Sequence, residues 1–425
     1  MSAADTEHPP ARPGAWSTIR EAIRGSGQDY TRGSVGRSVV LLAIPMVLEM
    51  VLESLFAVTN VFFVGRLGTD AVSVVGLTES LLAVVYAFAM GLGIAVTATV
   101  ARRIGEQDPD AAARAAAQGV LIGLMVALVF GGLGAWLAPD LLALMGASPE
   151  VVATGAAFTR IILGGEASVI LLFLLNAAFR GAGDAAIAMR ILWLSSGLNI
   201  VLDPCLIFGL GPFPELGVTG AAVATTIGRS VGALVAFREL FRPGRRFQVR
   251  WAHFRPAPAL MGHLVRLSGA AVFQFIIGTA SWIGLVRILA GFGSQALAGY
   301  TIGIRIVIFA ILPSWGLSNA AATMVGQGLG SGQPERAERA VWTACKYNFA
   351  FLAALGLVFV IGAPAIAGLF TSDPAVRALA ADCLRVIAAG FPAYAFGMVL
   401  TQSFNGAGDT WTPTWINLGI FWLGE

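Results

Sequence analysis

Apolar residues run along this chain in blocks, most of them longer than twenty residues, each closed by a cluster of charge, glycine or proline. Eleven blocks read as spans: residues 38–64, 71–100, 115–137, 151–178, 186–210, 218–240, 260–290, 296–325, 340–367, 376–402 and from 411 onward. A helix rises about 1.5 Å per residue, so about twenty apolar residues cross a hydrocarbon layer of about 30 Å. Strands of a membrane barrel would be nearer ten residues long and would alternate polar with apolar. These blocks do neither. The pattern predicts an all-α, polytopic membrane protein.

Composition agrees with the pattern. Apolar residues make up 57% of the 425 and charged residues 12%, about half the share usual in a soluble domain. The basic residues gather in alternate loops. Arg12, Arg20, Arg24, Arg32 and Arg37 precede the first span; Arg102, Arg103 and Arg114 follow the second; Arg180 and Arg190 follow the fourth. Arg238, Arg242, Arg245, Arg246, Arg250, Arg255 and Arg266 surround the middle of the chain, and Arg336, Arg339 and Lys346 follow the eighth span. The intervening segments 209–217 and 291–295 have no basic residue. Lys and Arg stay on the cytoplasmic side, so the N-terminus is expected in the cytoplasm and the protein in the inner (cytoplasmic) membrane. The same rule accounts for the basic linker without invoking nucleic acid. Before the first span, Trp16, Ile19 and Ile23 fall on one helical face opposite Arg20, Glu21 and Arg24. That suits a short helix on the membrane surface, and a disordered tail suits the composition equally.

The two halves repeat each other. Gly68 and Gly293, Gly105 and Gly330, Pro109 and Pro334, Arg114 and Arg339, and Arg160 and Arg385 are each 225 positions apart. Phe179-Arg-Gly-Ala-Gly-Asp184 matches Phe404-Asn-Gly-Ala-Gly-Asp409 at the same offset. Six spans per copy place both copies in one orientation, as two bundles about an axis along the membrane normal. That architecture suits a transporter with its cavity between the bundles. The expected organisation is a tail over 1–37, an N-lobe of six helices over 38–241, a basic linker over 242–259 and a C-lobe over 260–425. The second copy reaches only the mate of Ile200, inside an apolar run, so the C-lobe is expected to be incomplete, with about five helices, and the chain a fragment. Features in both halves read as scaffold, and those in one half are better candidates for chemistry. The shared Gly-Ala-Gly-Asp loops read as tight turns whose aspartate caps the next helix.

An ionised side chain at the bilayer centre costs at least ~2.5 kcal/mol, which makes intramembrane acids functional candidates. The first half carries Glu49, Glu53, Glu79, Glu166 and Asp203 in its spans, and the mates of the four glutamates are Gln274, Gly278, Ile304 and Phe391. Glu49 and Glu53 lie one turn apart on one face. Two readings stand for them: acids facing a cavity, or buried structural ions paired with Arg229 or Arg160. Gln274, Arg287 and Arg305 either touch a substrate or bond between helices. Tyr86, Phe88, Met90, Trp282 and Trp315 suit a cavity for flat cations.

Enzyme motifs do not survive their context. Gly228-Arg-Ser-Val-Gly232 matches GxSxG, but it lies within an apolar helix and lacks the strand–turn–helix of a nucleophile elbow. Cys205, Cys345 and Cys383 are scattered without CxxC spacing and read as buried thiols. No enzyme activity and no cofactor are expected.

Several segments together resemble the multidrug and toxic compound extrusion transporters, closest in spacing to their prokaryotic, DNA-damage-inducible-like branch. They are Asn60-Val-Phe-Phe-Val-Gly-Arg-Leu-Gly68, Gly91-Leu-Gly93, Ala101-Arg-Arg-Ile-Gly105, Phe179–Asp184 and Asn199-Ile-Val-Leu-Asp-Pro204. The likeness runs from about Ser38 to the last residue. It implies twelve helices in two lobes and extrusion of organic cations in exchange for protons or sodium. It further implies a coupling site in the N-lobe made from an acid late in the first helix and an Asn and Asp four residues apart in the fifth. Asn199 and Asp203 match that pair. The first-helix acid falls at Asn60, a departure that removes one coupling carboxylate, and a sixth-helix threonine corresponds loosely to Thr225 or Thr226. The expected partners are the bilayer and small organic cations, with the protein a monomer. The alternative is a flippase of lipid-linked saccharides from the same superfamily, whose members tend to carry cationic cavities.

Overall fold

The computed structural model describes residues 15–423. Its helices are α1 (Ala15–Arg24), α2 (Val35–Gly65), α3 (Thr69–Gly105), α4 (Pro109–Trp136), α5 (Ala138–Leu144), α6 (Pro149–Gly164), α7 (Glu166–Ala182), α8 (Ala185–Phe208) and α9 (Val218–Leu240). A 3-10 turn at Trp251–Phe254 precedes α10 (Pro258–Ala290), α11 (Ser294–Gly330), α12 (Pro334–Gly368), α13 (Pro374–Ala407) and α14 (Trp411–Leu423). Among the described residues, ten stretches are long and apolar enough to cross a membrane, α6 and α7 together making one of them. The protein is a multi-pass, all-α membrane protein. Its helices overrun the expected spans mainly at the arginine-rich end. Arg102, Arg103 and Arg336 are helical, because the helix continues after the chain has left the hydrocarbon layer. The expected span 151–178 is two helices that meet at Gly165.

The repeats form two lobes, α2–α9 and α10–α14. One core gathers Val96, Leu174, Phe179 and Ile191 in the first lobe, and another gathers Leu352, Leu384 and Phe391 in the second. A further apolar cluster crosses between the lobes at the arginine-rich end, where Leu42 and Met46 of α2 pack with Ala320 and Met324 of α11 and Ala344 of α12. Burial along α2 shows where the lobes part. Residues are buried from Ser38 to Glu49, and none is buried between Glu49 and Val64. Most of α3 from Gly91 and of α11 from Ser314 is likewise buried towards the arginine-rich end. The lobes therefore meet at that end and diverge towards the other.

The seal is symmetrical. A Cβ on Gly105 would stand 2.2 Å from the Gln327 carbonyl oxygen, and one on Gly330 would stand 2.1 Å from that of Arg102. Gly105 and Gly330 are repeat mates, and so are Arg102 and Gln327, so one backbone contact is made twice about a pseudo-two-fold axis. Only glycine permits that approach.

The matched loops begin alike and end differently. Gly183 and Gly408 both take positive φ, 87° and 85°. The Gly183 and Asp184 N–H groups donate to Arg180 and Phe179, as those of Gly408 and Asp409 do to Asn405 and Phe404. Asp409 then accepts from the Thr412 N–H at 3.1 Å, as a capping residue should. Asp184 does not cap α8. Its carboxylate lies 3.3 Å from Arg246 of the linker, which outcompetes the helix N–H groups for it.

The segments flanking the first lobe are docked. In α1, Ala22 is buried while Trp16 is 84% exposed. The disordered reading fails for residues 15–37, and Arg12 lies outside the described residues. Buried Arg336 of α12 donates to the carbonyls of Tyr30, Arg32 and Gly33 at 2.7–2.9 Å. Arg246 donates to Ser26 and Gln28. Residues 26–33 thus strap the linker to the second lobe. The linker itself buries Phe247 and Val249 in the first lobe's core.

Candidate functional site

Where the cleft reaches the seal, it ends in a cavity of about 400 Å³ walled by both lobes. α2 contributes Glu49 and Glu53, α7 contributes Asn176 and Arg180, and α9 contributes Arg229; Trp315 of α11 and Asn405 of α13 face them. Arg180 donates to Glu49 at 2.6 Å, with side-chain exposures of 10% and 3%. Arg229 donates to Glu53 at 2.6 Å nearer the open side. The two guanidinium groups also stack on rings, Arg180 at 5.6 Å over Phe173 and Arg229 at 5.0 Å over Phe56. Both carboxylates therefore face the cavity and are paired at the same time.

The partner expected for Glu49 is corrected. Neither Arg229 nor Arg160 pairs with it. Arg160 sits on α6, which packs on α3, α4, α5 and α9 rather than on α2, and its Nε donates to the Ala135 carbonyl. The true partner, Arg180, belongs to the motif read as scaffold. A signal for it was present: Arg180 is the one position at which Phe179–Asp184 and its copy differ. The copy has Asn405, and there Gln274, the mate of Glu49, donates to Asn405 at 3.2 Å and to the Thr410 carbonyl at 2.8 Å. One repeat has an ion pair where the other has an amide pair, and Arg180 and Asn405 share the cavity wall.

Other expected residues are distributed unevenly. Tyr86, Met90 and Trp315 line the cavity, whereas Phe88, Trp282 and Glu79 do not. Glu79 is exposed in the outer part of α3. Glu166 opens α7, 1% exposed, with one carboxylate oxygen unpartnered.

A second polar cluster lies inside the first lobe, apart from the cavity wall. Asp203 and Asn199 of α8 are 0% and 3% exposed. With the Asn199 amide oriented to satisfy both its ends, Nδ2 donates to Asp203 Oδ2 at 2.9 Å, and its oxygen accepts from Thr225 Oγ1 at 3.0 Å and Thr225 N at 2.9 Å. Asp203 Oδ1 is buried without a partner. No arginine pairs with this carboxylate among the described residues. Pro204 follows it and removes a helix donor. Asn60, on α2, makes no side-chain hydrogen bond among the described residues and joins neither cluster. Asn199, Asp203 and Thr225 therefore come together, and Asn60 stays apart.

A family model described as MatE matches residues 45–205 and again 270–424, with starts 225 positions apart, as in the internal repeat. The chain belongs to the MatE family. It is 27% identical to the probable multidrug resistance protein NorM of Thermotoga maritima, over 91% of this chain and 83% of that one. It is 26% identical to the FAD transporter of Shewanella oneidensis, over 80% and 76%. The outward-facing conformation of a multidrug resistance transporter of the MATE family superposes with a TM-score of 0.87 at 27% identity, over 94% of this chain and 88% of that one. MatE proteins are transporters, and the cavity between two repeat-related lobes suits that class.

Proposed function

We propose that this MatE protein extrudes small organic cations across the cytoplasmic membrane by antiport with protons or sodium. The observation that carries the reading is Asp203, a fully buried carboxylate with one unpartnered oxygen, linked through Asn199 to Thr225. A bare carboxylate in hydrocarbon is costly, so it takes up a proton or a cation. Asn60 supplies no second acid here, so Asp203 is the one carboxylate of the cluster it forms with Asn199 and Thr225. The cavity receives the substrate, with Glu49 and Glu53 as its acids and Phe56, Tyr86 and Trp315 as flat apolar surfaces.

With the arginine-rich end in the cytoplasm, the seal at Gly105 and Gly330 closes the inner side and the cleft faces outward. Occupation of Asp203 then biases rocking of the lobes to the opposite state, as alternating access requires. Flipping of a lipid-linked saccharide would call for net cationic charge, and the two cavity arginines are matched by two glutamates.

The test is transport in reconstituted vesicles, with sodium and pH gradients imposed separately. A cationic dye accumulating against its gradient under one of them supports the proposal. Lipid scrambling without dye movement, or dye movement independent of both gradients, overturns it.

A further inference from the structure

We propose that a second cavity, where the N-terminal strap meets the linker, binds the phosphate group of an anionic ligand, supplied by an acidic phospholipid of the adjoining leaflet. This cavity measures about 350 Å³ and lies at the arginine-rich end, enclosed by the end of α1, the start of α8 and the linker. Arg24, Arg190, Arg245 and Arg246 line it against a single carboxylate, that of Asp184. Arg246 is taken by Asp184 and by the face of Tyr30, 4.7 Å away. Arg245 is paired with Glu239. Arg24 and Arg190 have no ion-pair partner among the described residues, and Arg190 Nε donates to the Ala186 carbonyl of its own helix at 3.0 Å. Two guanidinium groups are therefore left for an anion, and planar guanidinium forks suit phosphate oxygens.

The backbone adds to the potential. Ala185 and Ala186, the first residues of α8, form part of the wall, and no side chain caps that first turn because Asp184 has turned to Arg246. Uncapped N–H groups carry the positive end of the helix dipole. The matched loop shows that this is particular to one repeat, since Asp409 keeps its cap on Thr412 through both N–H and hydroxyl.

Position points to a lipid as the source. Leu41 and Pro45 of α2 and Ile187 of α8, both spanning helices, contribute to the apolar part of the wall. On α1, Trp16 and Ile23 are 84% and 38% exposed beside Arg20 and Arg24, the arrangement of a helix resting at the headgroup level. An anion held here would join α1, α8 and the strap, whose other side Arg336 holds to the second lobe.

The experiment is native mass spectrometry and thermal unfolding of the detergent-solubilised full chain with phosphatidylglycerol, phosphatidylcholine or inorganic phosphate. Phosphatidylglycerol is expected to stay bound and to raise the unfolding temperature, and phosphatidylcholine is not. Arg24→Gln/Arg190→Gln should weaken phosphatidylglycerol binding by roughly tenfold or more, as loss of charge-assisted hydrogen bonds does. Arg24→Lys/Arg190→Lys should recover part of it. Arg102→Gln/Arg103→Gln, which removes arginines paired with Glu106 at the same end, should leave it unchanged. Protection by inorganic phosphate equal to that by the lipid overturns the lipid source. Equal phosphatidylglycerol binding by wild type and Arg24→Gln/Arg190→Gln overturns the site. So does an equal loss in the Arg102→Gln/Arg103→Gln control, which would mark general surface charge.

Discussion

Arg180 holds Glu49 at 2.6 Å across the base of the central cavity, in the place where the second repeat sets Asn405 against Gln274. The two repeats thus keep one geometry and put charge in only one of them. The other Glu49 oxygen is buried and unpartnered, so Arg180 satisfies only half of this carboxylate.

Removing one partner of this pair is expected to be far worse than removing both. Glu49→Gln leaves Arg180 buried and uncompensated, which costs about 3–5 kcal/mol for a buried pair. Glu49→Gln/Arg180→Asn recreates the amide pair of the second repeat and should recover most of that loss. Thermal unfolding of the purified variants measures both. A double variant no more stable than Glu49→Gln would show that the two side chains are not coupled.

Asp203→Asn keeps the shape of the carboxylate and removes its charge. Coupled accumulation of substrate in vesicles should fall to that of empty vesicles, while equilibrium binding of the substrate is retained. Wild-type accumulation with unchanged dependence on pH and sodium would make Asp203 a structural residue.

The glycine seal bears on one conformation only. An alanine at Gly105 or Gly330 forces a Cβ into a carbonyl of the opposite lobe, and overpacking of this kind costs about 1–3 kcal/mol. The cost falls on the state closed at the arginine-rich end, so Gly105→Ala/Gly330→Ala should shift the protein towards the state open there. Spin labels at Arg114 and Arg339, exposed repeat mates on opposite lobes, should move apart by pulsed electron resonance. An unchanged distance distribution counts against rocking about this contact.

Membrane orientation is tested by single cysteines in a background lacking Cys205, Cys345 and Cys383. Gln333, exposed at the arginine-rich end, and Ser372, exposed at the other, are suitable positions. A membrane-impermeant thiol reagent applied to intact cells should label Ser372→Cys and spare Gln333→Cys. The reverse pattern would place the N-terminus outside and turn the cleft towards the cytoplasm.

Some features of this protein are one-dimensional, and its sequence determines them alone. Spans follow from the length of apolar runs, and the 225-residue register shows as identities at a constant offset, so the all-α fold and the two lobes were legible. Asn199 and Asp203 are also local, four residues apart on one helix; of the two threonines the resemblance allowed, Thr225 and Thr226, it is Thr225 that bonds to Asn199. Pairing between distant helices was decided by tertiary structure. Glu49 and Arg180 are 131 positions apart, and hydropathy does not say which face of α7 turns towards α2. The same holds for Asp184, whose motif predicts a cap until the fold brings Arg246 within 3.3 Å. An ion pair between residues far apart in sequence then overrides a local preference, because a partly buried pair of opposite charges attracts more strongly than one exposed to water.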